Sequence, residues 1–180
     1  MQEILLEGRL IVKTGNITEE DSDAIVNAAN WTLLGGGGVD GAIHSAGGKK
    51  ILRECEEIRR VQYPKGLPTG LSVITSGGNL KAKFVIHTVG PIYGIDKENE
   101  AQQLADCYKH SLALAIEHEL RTIAFPSIST GAFHYPKHEA ARISSQAVKE
   151  FLDKETRLET VRLVFFSESD ARTFLKHRSF

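Results

Sequence analysis

A chain of 180 residues, 41% of them hydrophobic, can bury one sizeable core and reads as a single domain over residues 1–180. Its 22 basic and 23 acidic residues leave a formal net charge of −1, which excludes the dense basic surface that non-specific nucleic-acid binding needs. Cys55 and Cys107 lack metal-ligand spacing and read as reduced thiols. With no bilayer-length apolar run and no basic, cleavable leader at Met1–Glu7, the expectation is a cytoplasmic protein with no membrane partner.

Strand-like and helix-like segments alternate along the chain. Residues 9–14 and 24–29 read as strands, the second almost wholly apolar and so buried on both faces. Residues 43–60 carry helical signs broken by Gly47-Gly48, which predicts a short helix and then a longer one. Two β-branched-rich strands at 71–75 and 83–89 flank a Gly77-Gly78-Asn79 turn. A helix follows at 98–118, then a strand at 121–126, a helix at 137–152, a strand at 160–166 and a helix at 169–177. The alternation predicts an α/β fold with a parallel or mixed sheet covered on both faces. In such sheets ligands gather beyond the carboxyl ends of the strands.

The most informative stretch follows the second strand: Asn27-Ala28-Ala29-Asn30, then Gly35 to Gly38, then Val39-Asp40-Gly41 at the mouth of a helix. Four consecutive glycines carry too large a backbone entropy for an ordinary connector. They suit a main chain that approaches a ligand closely, and the helix start favours an anion such as a phosphate. Asn30 addresses sugar hydroxyls or bonds its own turn. Asp40 serves a ligand or a water, or simply caps the helix. A second loop, Pro126 to Pro136, also runs from strand to helix. Its hydroxyls and successive N–H groups are the materials of an anion nest, and Phe133 can stack on a sugar or base.

Gly36, Gly38 and Gly41 satisfy the dinucleotide fingerprint G-x-G-x-x-G, but five residues separate the glycine run from the strand and no acid closes a following strand. A P-loop is excluded because no Lys-Ser or Lys-Thr follows the glycines. His44 lies one helical turn from Asp40, as an acid–base partner would, yet reads more simply as structural. His134 and His138 have metal-pair spacing without a third ligand. His87, in an apolar strand, reads as a satisfied core residue. No metal and no organic cofactor is expected.

Taken with Val39-Asp40-Gly41-Ala42-Ile43-His44, Pro68-Thr69-Gly70, His87-Thr88-Val89-Gly90-Pro91 and Ser127-Ile128-Ser129-Thr130-Gly131, the motif set resembles the macrodomain family, and within it the MacroD-type ADP-ribosyl hydrolases. The resemblance spans essentially the whole chain. It implies a three-layer α/β/α sandwich with a mixed six-stranded sheet and an ADP-ribose cleft across its top. Gly35, Gly36, Gly37 and Gly38, with Val39, would form the first phosphate loop. Ser127, Ser129, Thr130, Gly131, Ala132 and Phe133 would form the second, with Phe133 against the distal ribose. Asn30, Gly37 and Asp40 would be the catalytic set, Asp40 holding the attacking water. Asn16 and Ile17 would read adenine, with Phe166 stacked on it.

The implied reaction releases ADP-ribose from aspartate or glutamate esters of proteins, with O-acetyl-ADP-ribose as a second substrate. Nucleic acid would enter only as an ADP-ribosylated substrate. A reader that binds ADP-ribose without cleaving it is the alternative. Three positions depart from the family pattern. Asn16 stands where aspartate is usual, so its amide oxygen would have to accept the adenine amino group. His134 replaces a common glycine, and Gly48 a usual proline.

Overall fold

The computed structural model describes residues 1–180. Its strands are β1 (Gln2–Leu5), β2 (Leu10–Thr14), β3 (Ala24–Ala29), β4 (Ser72–Ser76), β5 (Phe84–Val89), β6 (Thr122–Phe125) and β7 (Thr160–Phe165). Its helices are α1 (Gly38–Gly47), α2 (Lys49–Val61), α3 (Glu100–Glu117), α4 (Lys137–Lys154) and α5 (Glu168–His177). The strands form one mixed sheet in the order β1-β2-β7-β6-β3-β5-β4. The five inner strands are parallel, and β1 and β4 close the two edges antiparallel to their neighbours.

The sheet therefore has seven strands where six were expected. The additional one is β1, an edge strand whose residues are mostly exposed, Ile4 at 61% among them. One-sided pairing with almost no burial leaves no apolar alternation to read. Elsewhere the expected elements stand within a few residues of their predicted ends. At the break between α1 and α2, Gly48 adopts φ +79. Proline, fixed near φ −65, is incompatible with that backbone.

Side-chain alternation sends each inner strand to both faces. From β3, Ala24 and Val26 join α3, α4 and α5 in one apolar cluster. Ile25 and Ala29 join the cluster of Ile43 from α1 and Ile51 and Cys55 from α2. The result is the expected three layers. Each fully buried Leu or Ile contributes about 1.5–3 kcal/mol by leaving water, so the sheet is a rigid base for the loops at its carboxyl edge.

Candidate functional site

Four parallel strands end side by side, and each releases a segment that the sequence singles out. Asn16 follows β2, Phe166 follows β7, the 126–136 loop follows β6, and the 30–37 loop follows β3. Three inter-strand steps of about 4.8 Å spread these segments over roughly 14 Å. Asn16 and Phe166 lie together, since Thr14 is the register partner of Phe165 and Gly15 N–H donates to the Phe165 carbonyl at 2.9 Å. The β3 and β6 loops are likewise adjacent, through the pairing of Ala24 with Ile123.

In the first loop, the backbone N–H groups of Gly36, Gly37, Gly38, Val39 and Asp40 donate to nothing in the protein, and the N-cap Gly37 brings no side chain to α1. A helix start with its donors unspent is suited to an anion. The glycines differ in why they are glycine. Gly35 and Gly38 take positive φ, +91 and +58. Gly41 must lack a Cβ because one would stand 2.5 Å from the Gly36 carbonyl oxygen. Gly37 has φ −94, and a Cβ there would meet nothing within 4 Å. Nothing inside the protein requires glycine at that position.

The second loop repeats this. Gly131, Ala132 and Phe133 have unspent backbone N–H groups. Gly131 has no positive φ, and a Cβ on it would again meet nothing within 4 Å. Ser127 and Thr130 brace the loop by a hydroxyl pair at 2.7 Å. Ser129, at φ +65, packs into space that Gly90 leaves open, where a Cβ would be 2.1 Å from Ser129 Oγ. His134 sits at φ +59, a conformation a glycine would adopt without strain.

Asp40 does not cap its helix. It is only 5% exposed, and its Oδ1 accepts from Asn27 Nδ2 at 2.8 Å. Its Oδ2 is buried without a protein partner, 3.2 Å from where a Cβ on Gly36 would stand. His44 Nε2 comes within 3.3 Å of Asp40 Oδ1, but the contact is misaligned and neither ring nitrogen makes a hydrogen bond. Asn30 bonds its own turn, one of its two expected behaviours. Its Oδ1 accepts from Thr32 N–H at 2.9 Å and from the Thr32 hydroxyl, and its Nδ2 donates to the Gly35 carbonyl at 2.9 Å. One amide hydrogen remains, beside Gly36 on the same side as Asp40 Oδ2.

At the other end, Phe166 is 91% exposed although it directly follows a core strand. Asn16 is oriented by its own turn: its Oδ1 accepts from Thr18 N–H at 3.0 Å and the Thr18 hydroxyl at 2.7 Å. Flipping the amide would set two donors face to face, so what Asn16 offers outward is N–H, not the oxygen the sequence suggested. The side chain of Ile17 is packed in the core, leaving its unspent backbone N–H as its polar group. Glu20, bound by Lys13 at 2.6 Å and Arg162 at 2.9 Å, fixes this turn to the sheet.

Two buried polar residues lie beneath Asp40, and Asn27, an amide of the glycine-run motif that suggested a contact to sugar hydroxyls, is wholly buried there instead. Asn27 bridges to His87, its Nδ2 being 3.1 Å from Nδ1, and His87 Nε2 lies 2.9 Å from Thr75 Oγ1. Burial, with His44 beside it, pushes the His87 imidazole down to about 3. Possible donor atoms of His44, Cys55 and His87 fall within 4.8 Å of one another. As a ligand set the group is poor: both ring nitrogens of His87 are committed, and burial pushes the Cys55 thiol up to about 12.

Fold and site together define an α/β sandwich with two adjacent anion-suited loops at the carboxyl edge of its sheet. The Macro domain family model matches residues 26–144, and the chain belongs to that family. A macro domain-containing protein of Caldanaerobacter subterraneus is 52% identical over 162 residues, 90% of this chain and 91% of that protein. Among solved structures, an Oceanobacillus iheyensis macrodomain variant, G37V, with ADPR superposes with TM-score 0.92 at 43% identity, covering 98% of this chain and 95% of that one. A Trypanosoma brucei macrodomain in complex with ADP-ribose superposes with TM-score 0.85 at 38% identity, covering 93% of this chain and 68% of that one.

Proposed function

We propose that this chain binds ADP-ribose and hydrolyses its esters, removing mono-ADP-ribose from aspartate and glutamate side chains of proteins and deacetylating O-acetyl-ADP-ribose. The observation that carries the reading is the set of unspent backbone N–H groups in two adjacent loops, Gly36 to Asp40 and Gly131 to Phe133. A diphosphate gripped from both sides would take them. The ligands of the Oceanobacillus and Trypanosoma macrodomains support the same choice.

In this reading the diphosphate takes the unspent N–H groups of both loops, and adenine lies between Asn16 and Phe166. The distal ribose meets Phe133 and the remaining amide hydrogen of Asn30. Asp40 Oδ2, without a protein partner, accepts from the attacking water. The water oxygen bonds to the anomeric carbon as the bond from that carbon to the ester oxygen breaks. The leaving carboxylate keeps the electron pair, and the water's proton passes to a neighbouring phosphate or carboxylate oxygen. Negative charge beside the anomeric carbon stabilises the oxocarbenium-like state between. No metal and no organic cofactor enters this scheme.

The test is intact-mass monitoring of a protein mono-ADP-ribosylated on glutamate, incubated with this chain or with Asp40→Ala. Loss of the modification with the parent alone is the expected result. Equal loss with both would remove Asp40 from the mechanism. Binding of ADP-ribose without turnover would favour the reader, a reading consistent with the engagement of Asn30 in its own loop.

A further inference from the structure

Beneath Asp40 runs a chain of buried polar side chains. β3 and β5 are parallel neighbours in which Asn27 and His87 are register partners, and His87 is opposite Val73 of β4, two residues before Thr75. By alternation with Ile25, Val85 and Val73, all three polar side chains point to the face covered by α1 and α2. Asn27 and His87 are wholly buried. They are placed by the sheet, and Asp40 is placed above them by the first turn of α1.

The hydrogen positions in this chain follow from its chemistry. A carboxamide nitrogen carries two hydrogens and accepts nothing. Asn27 Nδ2 stands 2.8 Å from Asp40 Oδ1 and 3.1 Å from His87 Nδ1. One hydrogen therefore goes to the carboxylate and the other to an unprotonated Nδ1. The His87 proton is then on Nε2, which donates to Thr75 Oγ1 at 2.9 Å, and the Thr75 hydroxyl donates to the Ser76 carbonyl at 3.0 Å. The donors of Asn27, His87 and Thr75 then each meet an acceptor in one direction only, and the Cys55 sulfur, 3.8 Å from Nε2, is a second, weaker acceptor for the proton on Nε2. Rotating the Asn27 amide would set its oxygen against the Asp40 carboxylate, and moving the His87 proton to Nδ1 would set two N–H groups against each other.

We infer that His87 is a positioning residue for Asp40: its Nδ1 lone pair fixes the Asn27 amide, which binds Asp40 Oδ1 and leaves Oδ2 unengaged beside Gly36. Asp40 has no comparable hold from its own helix, because its contact with His44 is misaligned. The inference rests on the proposed role of Asp40 in turnover.

Two substitutions separate the acceptor from the bulk. His87→Asn puts an amide oxygen near the place of Nδ1 and keeps the acceptor for Asn27. His87→Gln puts its amide near Nε2, toward Thr75, and removes that acceptor. His87→Gln is expected to lower kcat roughly tenfold to a hundredfold, the range typical when a partner that orients a reacting group is lost. Its KM and its affinity for ADP-ribose should stay within about threefold of the parent, while His87→Asn keeps kcat within about threefold. Equal losses of kcat in both variants, or a loss matched by weakened ADP-ribose binding, would overturn the inference. A long-range proton–nitrogen NMR spectrum of the parent needs no turnover. It should report the Nε2–H tautomer of His87 between about pH 5 and pH 8, and an Nδ1–H tautomer would overturn the inference even if the hydrolase reading stood. A parent without turnover would sink the hydrolase reading and with it the inference, whatever the tautomer.

Discussion

Four alanine substitutions at glycine distinguish a fold requirement from a ligand requirement. Gly37→Ala introduces a methyl group at φ −94 into space with no atom within 4 Å, and Gly131→Ala does the same in the second loop. Restricting the unfolded chain stabilises by about 0.4–1 kcal/mol, and replacing an N-cap glycine with alanine costs a few tenths. Both variants should therefore melt within about 2–4 °C of the parent. Gly41→Ala meets the Gly36 carbonyl oxygen at 2.5 Å, and Gly90→Ala meets Ser129 Oγ at 2.1 Å and Ile128 Cγ2 at 2.7 Å. These are overpacked positions, with an expected loss of about 1–3 kcal/mol and a Tm lower by several degrees. For ADP-ribose the effects of the first pair reverse. A methyl group between backbone and diphosphate forces a misfit of the same order, about 1–3 kcal/mol, which weakens Kd roughly fivefold to 150-fold. Thermal denaturation gives the first quantity and titration calorimetry with ADP-ribose the second. Binding by Gly37→Ala and Gly131→Ala as tight as the parent's, or a loss of Tm as large as that of Gly41→Ala, would refute a ligand requirement at these glycines.

Three further outcomes follow from the same geometry. Asn16→Asp keeps one oxygen for the Thr18 turn and turns a second, charged one outward; ADP-ribose should bind about 1 kcal/mol tighter by calorimetry, while inosine diphosphate ribose, which lacks the 6-amino group, should not. Phe166→Ala removes a side chain that is 91% exposed; Tm should hold, and the affinity for ADP-ribose should fall by about 1–3 kcal/mol if the ring stacks on adenine. His87, with its folded pKa pushed down to about 3, is neutral in the fold while the unfolded chain binds a proton near 6.5. Its contribution to stability is therefore full above pH 6.5 and is lost as pH falls toward 3, by about 2–3 kcal/mol between pH 6 and pH 4. Denaturant melts of the parent should show this acid slope and those of His87→Asn a shallower one; equal slopes would refute the assignment.

Much of the site was legible because it lies on consecutive residues. The run from Asn27 to Ile43 states a buried strand, a glycine loop and a helix start within one window, and the structure keeps all three in place. Phe166 and Asn16 were harder, being separated by 150 positions, yet each marks the end of a readable strand. What could not be read is what depends on pairing across the sheet. His87 reads correctly as a satisfied core residue, but its partner is Asn27 only because β3 and β5 are parallel neighbours in that register. The polarity of Asn16 is set by the backbone N–H of Thr18, two residues on, a local bond that residue identity alone leaves open. β1 was missed because it buries almost nothing.

The distribution of unmet polar groups ties these points to function. Buried side-chain atoms without a protein partner occur at Ser22, Asn27, Asp40, His44, Ser129 and Arg178, and four of those six residues belong to the two site loops or the layer directly beneath them. Each such group costs about 1–3 kcal/mol against a satisfied alternative. A sequence selected for stability alone would replace the Asp40 and His44 pair with apolar side chains, as it has done in the surrounding layer of Ile43, Ile51 and Val85. Here instead α1 buries a carboxylate oxygen that has no partner in the protein, while Asn27 holds the other one fixed. The result is an oriented acceptor beside open backbone donors, the geometry that the proposed attack on a carbon next to a bound anion would use.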